Sequence, residues 1–281
     1  EPGSGAEISV RATEGTPTCT RLFTVFMDLS LIVIPAVALG ASLLTLISGF
    51  GLGTLLLPVF AVFFPLEVAI LLTAVVHLLN NLFKLGLMGG HIHWPTVLRF
   101  GVPGIAGALA GARLMHALGE RTALFQGVRH AVDPLDLTIA ALMLVFGLFE
   151  LSKTLNSLSL PRKWMVPGGL LSGFFGGLSG HQGALRSMFL LRAGLSKEAF
   201  IATGVAIACL VDLTRLPTYL AGGMLDTLRA EWPLLLASAL AAFAGAWWGK
   251  KLIPKVTMRG VQLTVGVLML AIAGMLASGV I

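Results

Sequence analysis

Long apolar runs, separated by short polar linkers, make up most of the chain. The longest run, 29–66, has no charged residue over 38 positions, which is too long for one membrane crossing of about 20 residues and tight for two. The other runs are close to the length that spans a bilayer or half of one. The pattern predicts helices over about 29–48, 53–64, 66–88, 95–118, 134–153, 164–179, 183–193, 197–221, 230–252 and 259–281.

The chain contains an internal repeat. The segment SGFGLG at 48–53 reappears about 131 positions later as SGHQGA at 179–184. Further matches are Glu67 with Glu198, Asn81 with Asp212, Lys84 with Arg215 and, after a seven-residue insertion, Trp94 with Trp232. We interpret the chain as a flexible tail (1–27), a first transmembrane repeat (28–153), a linker (154–163) and a second repeat (164–281).

Both copies carry a glycine-rich interruption early in the repeat. The first is followed by a predicted helix at 53–64 whose twelve residues rise about 18 Å, or half a bilayer. Such a half-helix directs its unpaired N–H groups and positive dipole end into a cavity, where an anion is the natural ligand. The candidate binding residues at the two breaks are Ser48, Gly49, Gly51, Gly53, Ser179, Gly180, His181, Gln182 and Gly183.

Small residues also recur at spacings of three and four. Such a series allows helix backbones to pack closely in lipid. The two copies carry Gly101, Gly104, Gly107 and Gly111, matched by Ala237, Ala241, Gly245 and Gly249.

The amino-acid composition indicates that the protein folds in a lipid bilayer. Of 281 residues, 56% are hydrophobic and 11% are charged, against about 25% charged in soluble domains. The predicted fold is therefore all-α: a polytopic transmembrane bundle of two repeated halves, each with a glycine-broken helix or half-helix hairpin. The net charge of +6 comes mostly from residues between apolar runs, without a continuous basic stripe, so nucleic acid is not an expected partner.

The orientation of the two halves stays open at the level of sequence. If both breaks are re-entrant, each half has an odd number of crossings and the halves are inverted; if the first helix of each half crosses fully, they are parallel. Basic linkers at 113–133, 153–163 and 250–259 lean weakly toward the parallel arrangement. The general frequency of inverted repeats in transporters favours the other.

Three cations lie within the apolar runs. Arg186 follows a stretch of 22 residues without Lys, Arg, Asp or Glu, so we expect it to contact substrate or to gate its path. Lys84 and Arg215 occupy equivalent positions and are expected to line the path. For Lys84, which lies about four residues from its helix end, snorkelling to the headgroups is the alternative.

One polar stripe joins His77, Asn81 and Lys84 at helical spacing. Asp212 lies one turn before Arg215, where it forms either a structural ion pair or a titrating group for proton coupling. Asp212 and His77 are the candidate coupling residues, and a proton is the candidate coupling ion.

The remaining histidines support weaker hypotheses. His181 either senses pH and donates to an oxyanion or is a hydrogen-bonded core histidine. His91 and His93 precede Trp94 without a neighbouring carboxylate or thiol, so we expect interfacial histidines and no metal site. The two cysteines, Cys19 and Cys209, define no disulfide framework.

Two segments resemble the glycine-rich signatures of the sulfite exporter TauE/SafE family of membrane permeases. They are SGFGLGTLLLP at 48–58 and SGHQGALRSMFLLRAGLSKEAFIATG at 179–204, and the resemblance extends from about Leu29 to the C-terminus. The second copy departs from the pattern, with His181-Gln182 in place of an apolar residue and glycine, and Phe189 where proline is usual. The resemblance implies export of sulfite, sulfoacetate or another organosulfur anion.

Taken together, the residues predict a secondary transporter of a small anion by alternating access between the halves, and the resemblance implies an exporter. It is expected in the cell inner membrane, as a multi-pass protein without a cofactor and not as an enzyme; the sequence leaves room for a homodimer. Three alternatives stay open: a channel for the same anions, a membrane-embedded metal enzyme using His77, His91 and His93, and a non-transporting partner of another membrane complex.

Overall fold

A computed structural model describes residues 17–48, 52–156, 158–252 and 258–281. It contains almost only helix, which confirms the all-α polytopic bundle. The helices of the first half are α1 (Pro17–Ser48), α2 (Leu52–Phe63), α3 (Leu66–Met88), α4 (Trp94–Thr96), α5 (Val102–Gly119), α6 (Pro134–Leu151) and α7 (Lys153–Asn156). Those of the second half are α8 (Met165–Ser179), α9 (Gly183–Leu190), α10 (Lys197–Tyr219), α11 (Leu225–Ala230), α12 (Trp232–Leu252) and α13 (Met258–Ala277).

Within the described residues, six helices are long and apolar enough to cross a membrane. They are Asp28–Thr45, Leu66–His91, Trp94–Gly119, Pro134–Leu151, Lys197–Ala230 and Trp232–Gly249. Two of these continue through a π-helical turn, at Val97–Gly101 and Leu220–Met224, which the sequence did not predict. The second turn contains Gly223 with φ of 88°, a conformation that only glycine adopts without strain.

The ends of several elements differ from the prediction. Helix α1 begins at Pro17 and so extends into the segment interpreted as a tail, while residues 1–16 lie outside the described residues. The polar linker after α5 contains a small antiparallel hairpin, β1 (Phe125–Gln126) and β2 (Ala131–Val132). Backbone N–H groups of its turn donate to the carbonyls of Ser278 and Gly279, so pairing with the distant end of the chain stabilises it.

The predicted small-residue contacts are present between α5 and α8. A Cβ added to Gly107 would collide with the Leu170 carbonyl, and one added to Gly111 with the Phe174 carbonyl. The second half repeats the contact between α12 and α1, where Gly245 lies against the carbonyl of Leu39. Both the glycines and their partners are equivalent positions of the repeat, so one packing interaction is used twice.

Helices that are equivalent by sequence run in opposite directions. His77 near the middle of α3 meets Asp212 in α10, whereas His93, beyond the end of α3, donates its backbone N–H to Thr203 near the start of α10. Helices α3 and α10 are therefore antiparallel. Because they occupy the same place in the two copies, the halves are inverted with respect to each other.

Each glycine break begins a helix that doubles back. In the second half, Gly168 lies against Phe189 and Gly176 against Gln182, so α9 returns along α8. In the first half, the start of α2 lies beside the middle of α3, and a two-residue connection joins its end to the start of α3. The weak preference of the linker charges for parallel halves was wrong, since α3 and α10 run antiparallel.

Candidate functional site

The starts of the two half-helices lie next to each other. A Cβ on Gly53, in the first turn of α2, would lie 3.6 Å from the carbonyl oxygen of Gly180 and 3.8 Å from Cδ2 of His77. Gly180 ends α8 with φ of 84°, which requires glycine. Gly49 and Gly51 lie outside the described residues, as does the side chain of Ser48. The described residues of the two predicted breaks therefore lie within contact distance of each other.

The second break is polar and buried. His181 Nδ1 lies 2.9 Å from Ser179 Oγ, and its ring stacks on Phe146 at 5.7 Å between centroids. Gln182, which precedes Gly183 at the start of α9, accepts from Arg186 Nη1 at 3.3 Å through its Oε1. The other side-chain nitrogens, His181 Nε2 and Gln182 Nε2, have no hydrogen-bond partner among the described residues. Because the Ser179 hydroxyl donates to the Phe175 carbonyl, His181 Nδ1 donates to Ser179 Oγ and Nε2 of the neutral ring is an acceptor, whereas Gln182 Nε2 is a donor. A buried polar atom of either kind is costly unless a partner completes it.

The three predicted cations lie in the interior. Lys84, Arg186 and Arg215 are each 5% exposed or less. Lys84 Nζ donates to Thr45 Oγ1 at 3.2 Å, so its ammonium points toward α1 instead of snorkelling to the headgroups. Arg215 Nη1 donates to the carbonyl of Gly176 at 3.0 Å.

Asp212 joins the two halves. Its Oδ1 accepts from Arg215 Nε at 3.0 Å, and Arg215 Nη2 lies 2.9 Å from the same oxygen as an ion pair without hydrogen-bond alignment. Its Oδ2 lies 2.6 Å from His77 Nδ1 on α3. The amide nitrogen of Asn81 is 3.2 Å from both ring nitrogens of His77. The predicted coupling residues therefore form one network together with Arg215.

Several members of the site were not predicted. The Asn80 amide is satisfied when its nitrogen donates to Ser42 Oγ and its oxygen accepts from Lys84 Nζ at 3.1 Å. The hydroxyl of Tyr219, the chain's single tyrosine, donates to the carbonyl of Gly177 beside Arg215. Both residues could have been inferred from the sequence, since Asn80 adjoins the polar stripe of α3 and Tyr219 follows Arg215 by one helical turn.

The electrostatic balance around the breaks is positive. Among the described residues there, three cationic side chains accompany one carboxylate, that of Asp212. Lys84 and Arg186 lie near enough to repel each other, and Asp212 attracts Arg186. Charges buried away from water interact strongly, so this region favours a negatively charged solute.

Two of the three histidines in the metal hypothesis, His77 and His93, have other roles. His93 Nδ1 pairs with Thr96 Oγ1 at 2.8 Å and caps α4. His77 is held by Asp212. No group of three His, Cys, Asp or Glu side chains that could hold a metal occurs in the part of the chain that the structure describes.

A separate recess lies on the face where α2 ends. It measures about 600 Å³ and is lined by polar side chains from the start of α3, the β-hairpin and the start of α6, among them Glu67, Arg129, His130, Asp133 and Asp136. The sequence did not predict it. It lies at the opposite end of α2 from Gly53, and therefore away from the breaks.

Two inverted halves whose broken helices meet at a buried charged cluster form an architecture that is found in membrane transporters. The sequence model of the family described as sulfite exporter TauE/SafE matches residues 34–276, which is most of the chain. The chain belongs to this family and is a multi-pass membrane transporter. Comparison with curated proteins and with solved structures gives no match.

Proposed function

We propose that the protein exports a small anion, sulfite or an organosulfonate such as sulfoacetate, across the cell inner membrane by alternating access. The observation that carries this proposal is the excess of buried cations where the two breaks meet. Burying a cation in a membrane protein is costly, and an anion bound between several of them offsets that cost. The family supports a transported solute of this class.

Each side chain has a distinct role in the proposed site. Arg186 and the unpartnered Nε2 of Gln182 bind the sulfonate or sulfite oxygens together with backbone N–H groups at the start of α9. Lys84 and Arg215 line the path from opposite halves, and Asn81 and Asp212 shape it. Gly53 and Gly180 allow the backbone to approach the solute, since neither presents a side chain.

Alternating access follows from the inverted arrangement. Helices α3 and α10 cross at the site and run in opposite directions, so an exchange of conformation between the halves opens the site first to one face and then to the other. The energy would come from an ion gradient or from the membrane potential acting on the anion.

Reconstitution into liposomes tests the proposal. Purified protein would be assayed with sulfite, sulfoacetate, taurine, sulfate and thiosulfate, with choline as a cationic control. We expect saturable movement of one or more of the anions and none of choline. Choline movement equal to that of the anions, or no anion movement above protein-free liposomes, contradicts the proposal.

The same preparation separates a carrier from a channel. A carrier accelerates uptake of labelled anion when unlabelled anion is present inside, whereas a channel shows no such counterflow. A protein that assembles another complex without transporting anything would give neither signal.

A further inference from the structure

We propose that His77 is the binding site of the coupling proton and that Asp212 holds it in place across the contact between the two halves. This inference rests on the proposed anion transport and adds its coupling. It starts from the geometry of one buried pair: His77 is 1% exposed and Asp212 is fully buried, with 2.6 Å between Nδ1 and Oδ2.

The Asp212 carboxylate is held in its ionised form by a neighbouring cation. Its Oδ1 is held by the guanidinium of Arg215 through Nε and Nη2, at 3.0 and 2.9 Å. Protonating the carboxylate would break this pair and leave a buried guanidinium without its counter-charge, which is strongly unfavourable. The group of the pair that can change charge is therefore the imidazole.

The proton has a definite place on the ring. In its neutral form the ring donates its Nδ1–H to the Asp212 carboxylate and carries a lone pair on Nε2. A proton delivered from water forms an N–H bond at Nε2 and gives an imidazolium; its release to water on the other face restores the neutral ring. The Asn81 amide nitrogen lies 3.2 Å from both ring nitrogens, over the face of the ring, and so leaves the in-plane position at Nε2 to the proton.

The ring edge that carries Nε2 faces the proposed anion site. Cδ2, which is bonded to Nε2, lies toward Gly53 at the start of α2, and this turn adjoins Gly180. The proton and the anion would therefore bind on neighbouring surfaces.

The surrounding charges couple proton to anion. Asp212 on α10 pairs with His77, and Arg215 pairs with Asp212. Four further groups interact electrostatically with this carboxylate or guanidinium: Arg186 on α9, His181 at the second break, and Cys209 and Tyr219 on α10. Lys84, on the same helix as His77, interacts with Arg186. Among the described residues, α2 has no titratable side chain, and α1 contributes the hydroxyls of Ser42 and Thr45. The cations oppose an imidazolium when the site is empty, and a bound anion removes that opposition. Proton and anion thus favour each other's binding to the same extent.

The internal repeat does not duplicate this pair. The position equivalent to His77 in the second half is Ala208, and the position equivalent to Asp212 in the first half is Asn81. The repeat therefore supplies one histidine and one carboxylate, from opposite halves, and the expected stoichiometry is one proton per anion.

The experiment measures proton and anion movement together in proteoliposomes, with sulfoacetate outside and a pH-sensitive dye inside. The wild type is expected to move about one proton with each sulfoacetate, inward in this assay when the outside is acidic. In the cell, a sulfoacetate dianion that moves with one proton keeps a net negative charge, which the membrane potential drives outward. In His77→Gln the ratio falls to near zero in whatever flux remains. The ratio does not depend on how much of the variant is active. His91→Gln, a change at an exposed histidine outside the network, keeps a ratio of about one.

A second variant decides the case if His77→Gln gives no flux. Asn81→Asp adds a carboxylate beside the ring and stabilises the imidazolium, so the pH at which transport is half-maximal should move upward. A purely structural histidine would produce no such movement. Wild-type sulfoacetate flux without protons, an unchanged ratio in His77→Gln or an unmoved pH profile in Asn81→Asp overturns the inference. Absence of anion flux in the wild type instead overturns the proposed function.

Discussion

Lys84 and Arg215 make equivalent contacts in the two halves. Lys84 donates to Thr45 in α1 at 3.2 Å, and Arg215 donates to Gly176 in α8 at 3.0 Å. Thr45 and Gly176 are themselves equivalent positions of the repeat. Each cation thus fixes the end of the first helix of its own hairpin, just before the break, and connects the position of the break to the long helix behind it.

Removing the Lys84 charge should impair transport more than it impairs folding. Lys84→Met keeps the length of the side chain but removes the ammonium that donates to Thr45 and attracts the anion. We expect sulfoacetate flux in liposomes to fall at least tenfold, whereas the unfolding temperature in detergent should stay close to that of the wild type. Lys153→Met, at an exposed lysine between α6 and α8, serves as the control. Equal fluxes in both variants would exclude Lys84 from the path.

The two breaks should respond differently to added methyl groups. Gly180→Ala forces a side chain into a left-handed backbone, which costs about 1–2 kcal/mol, and places its Cβ 3.1 Å from Arg215 Nη1. Gly53→Ala meets only ordinary contacts of 3.6 Å or more, and its equivalent in the second half is already Ala184. The unfolding temperature measured in detergent should therefore fall clearly for Gly180→Ala and little for Gly53→Ala. The reverse order would contradict the observed geometry of the breaks.

The repeated glycine contact can be tested in both halves at once. Gly107→Val and Gly245→Val would each drive a side chain into the backbone of the facing helix, at a cost of about 3 kcal/mol or more. Both should lower the yield of folded protein by similar amounts, as measured by size-exclusion chromatography in detergent. Gly40→Ala, whose Cβ meets nothing within 4 Å, is the control. A tolerated Gly245→Val would mean that α1 and α12 are not in this contact.

The inverted arrangement predicts which loops share a face. The linker after α6, the end of α9 and the start of α10 lie together and carry Lys153, Arg162, Lys163, Arg192 and Lys197, so we expect this face in the cytoplasm. With Cys19 and Cys209 replaced by serine, a cysteine at Ser159 should react with an impermeant thiol reagent only after the membrane is opened. A cysteine at Thr227, before α12, should react in intact cells. Labelling of both cysteines under the same condition would contradict the inverted topology.

The sequence predicted the positions of the helices better than the contacts between them. Helix α3 was expected at 66–88 and occupies Leu66–Met88, and the half-helix expected at 53–64 is α2 at Leu52–Phe63, because apolar length, glycine and proline act locally. The pairing of His77 with Asp212 was not predictable. It joins residues 135 positions apart, and it depends on the inverted crossing of α3 and α10, which linker charges alone did not indicate.

The most direct test of the central claim is sulfoacetate counterflow in proteoliposomes containing wild-type protein or Arg186→Gln. The matched control is Arg192→Gln, which removes the same charge from an exposed position two residues past the end of α9. The account predicts saturable counterflow for the wild type and the control, and a decrease of at least tenfold for Arg186→Gln. Counterflow at the wild-type rate in Arg186→Gln would show that the anion does not bind where the two broken helices meet.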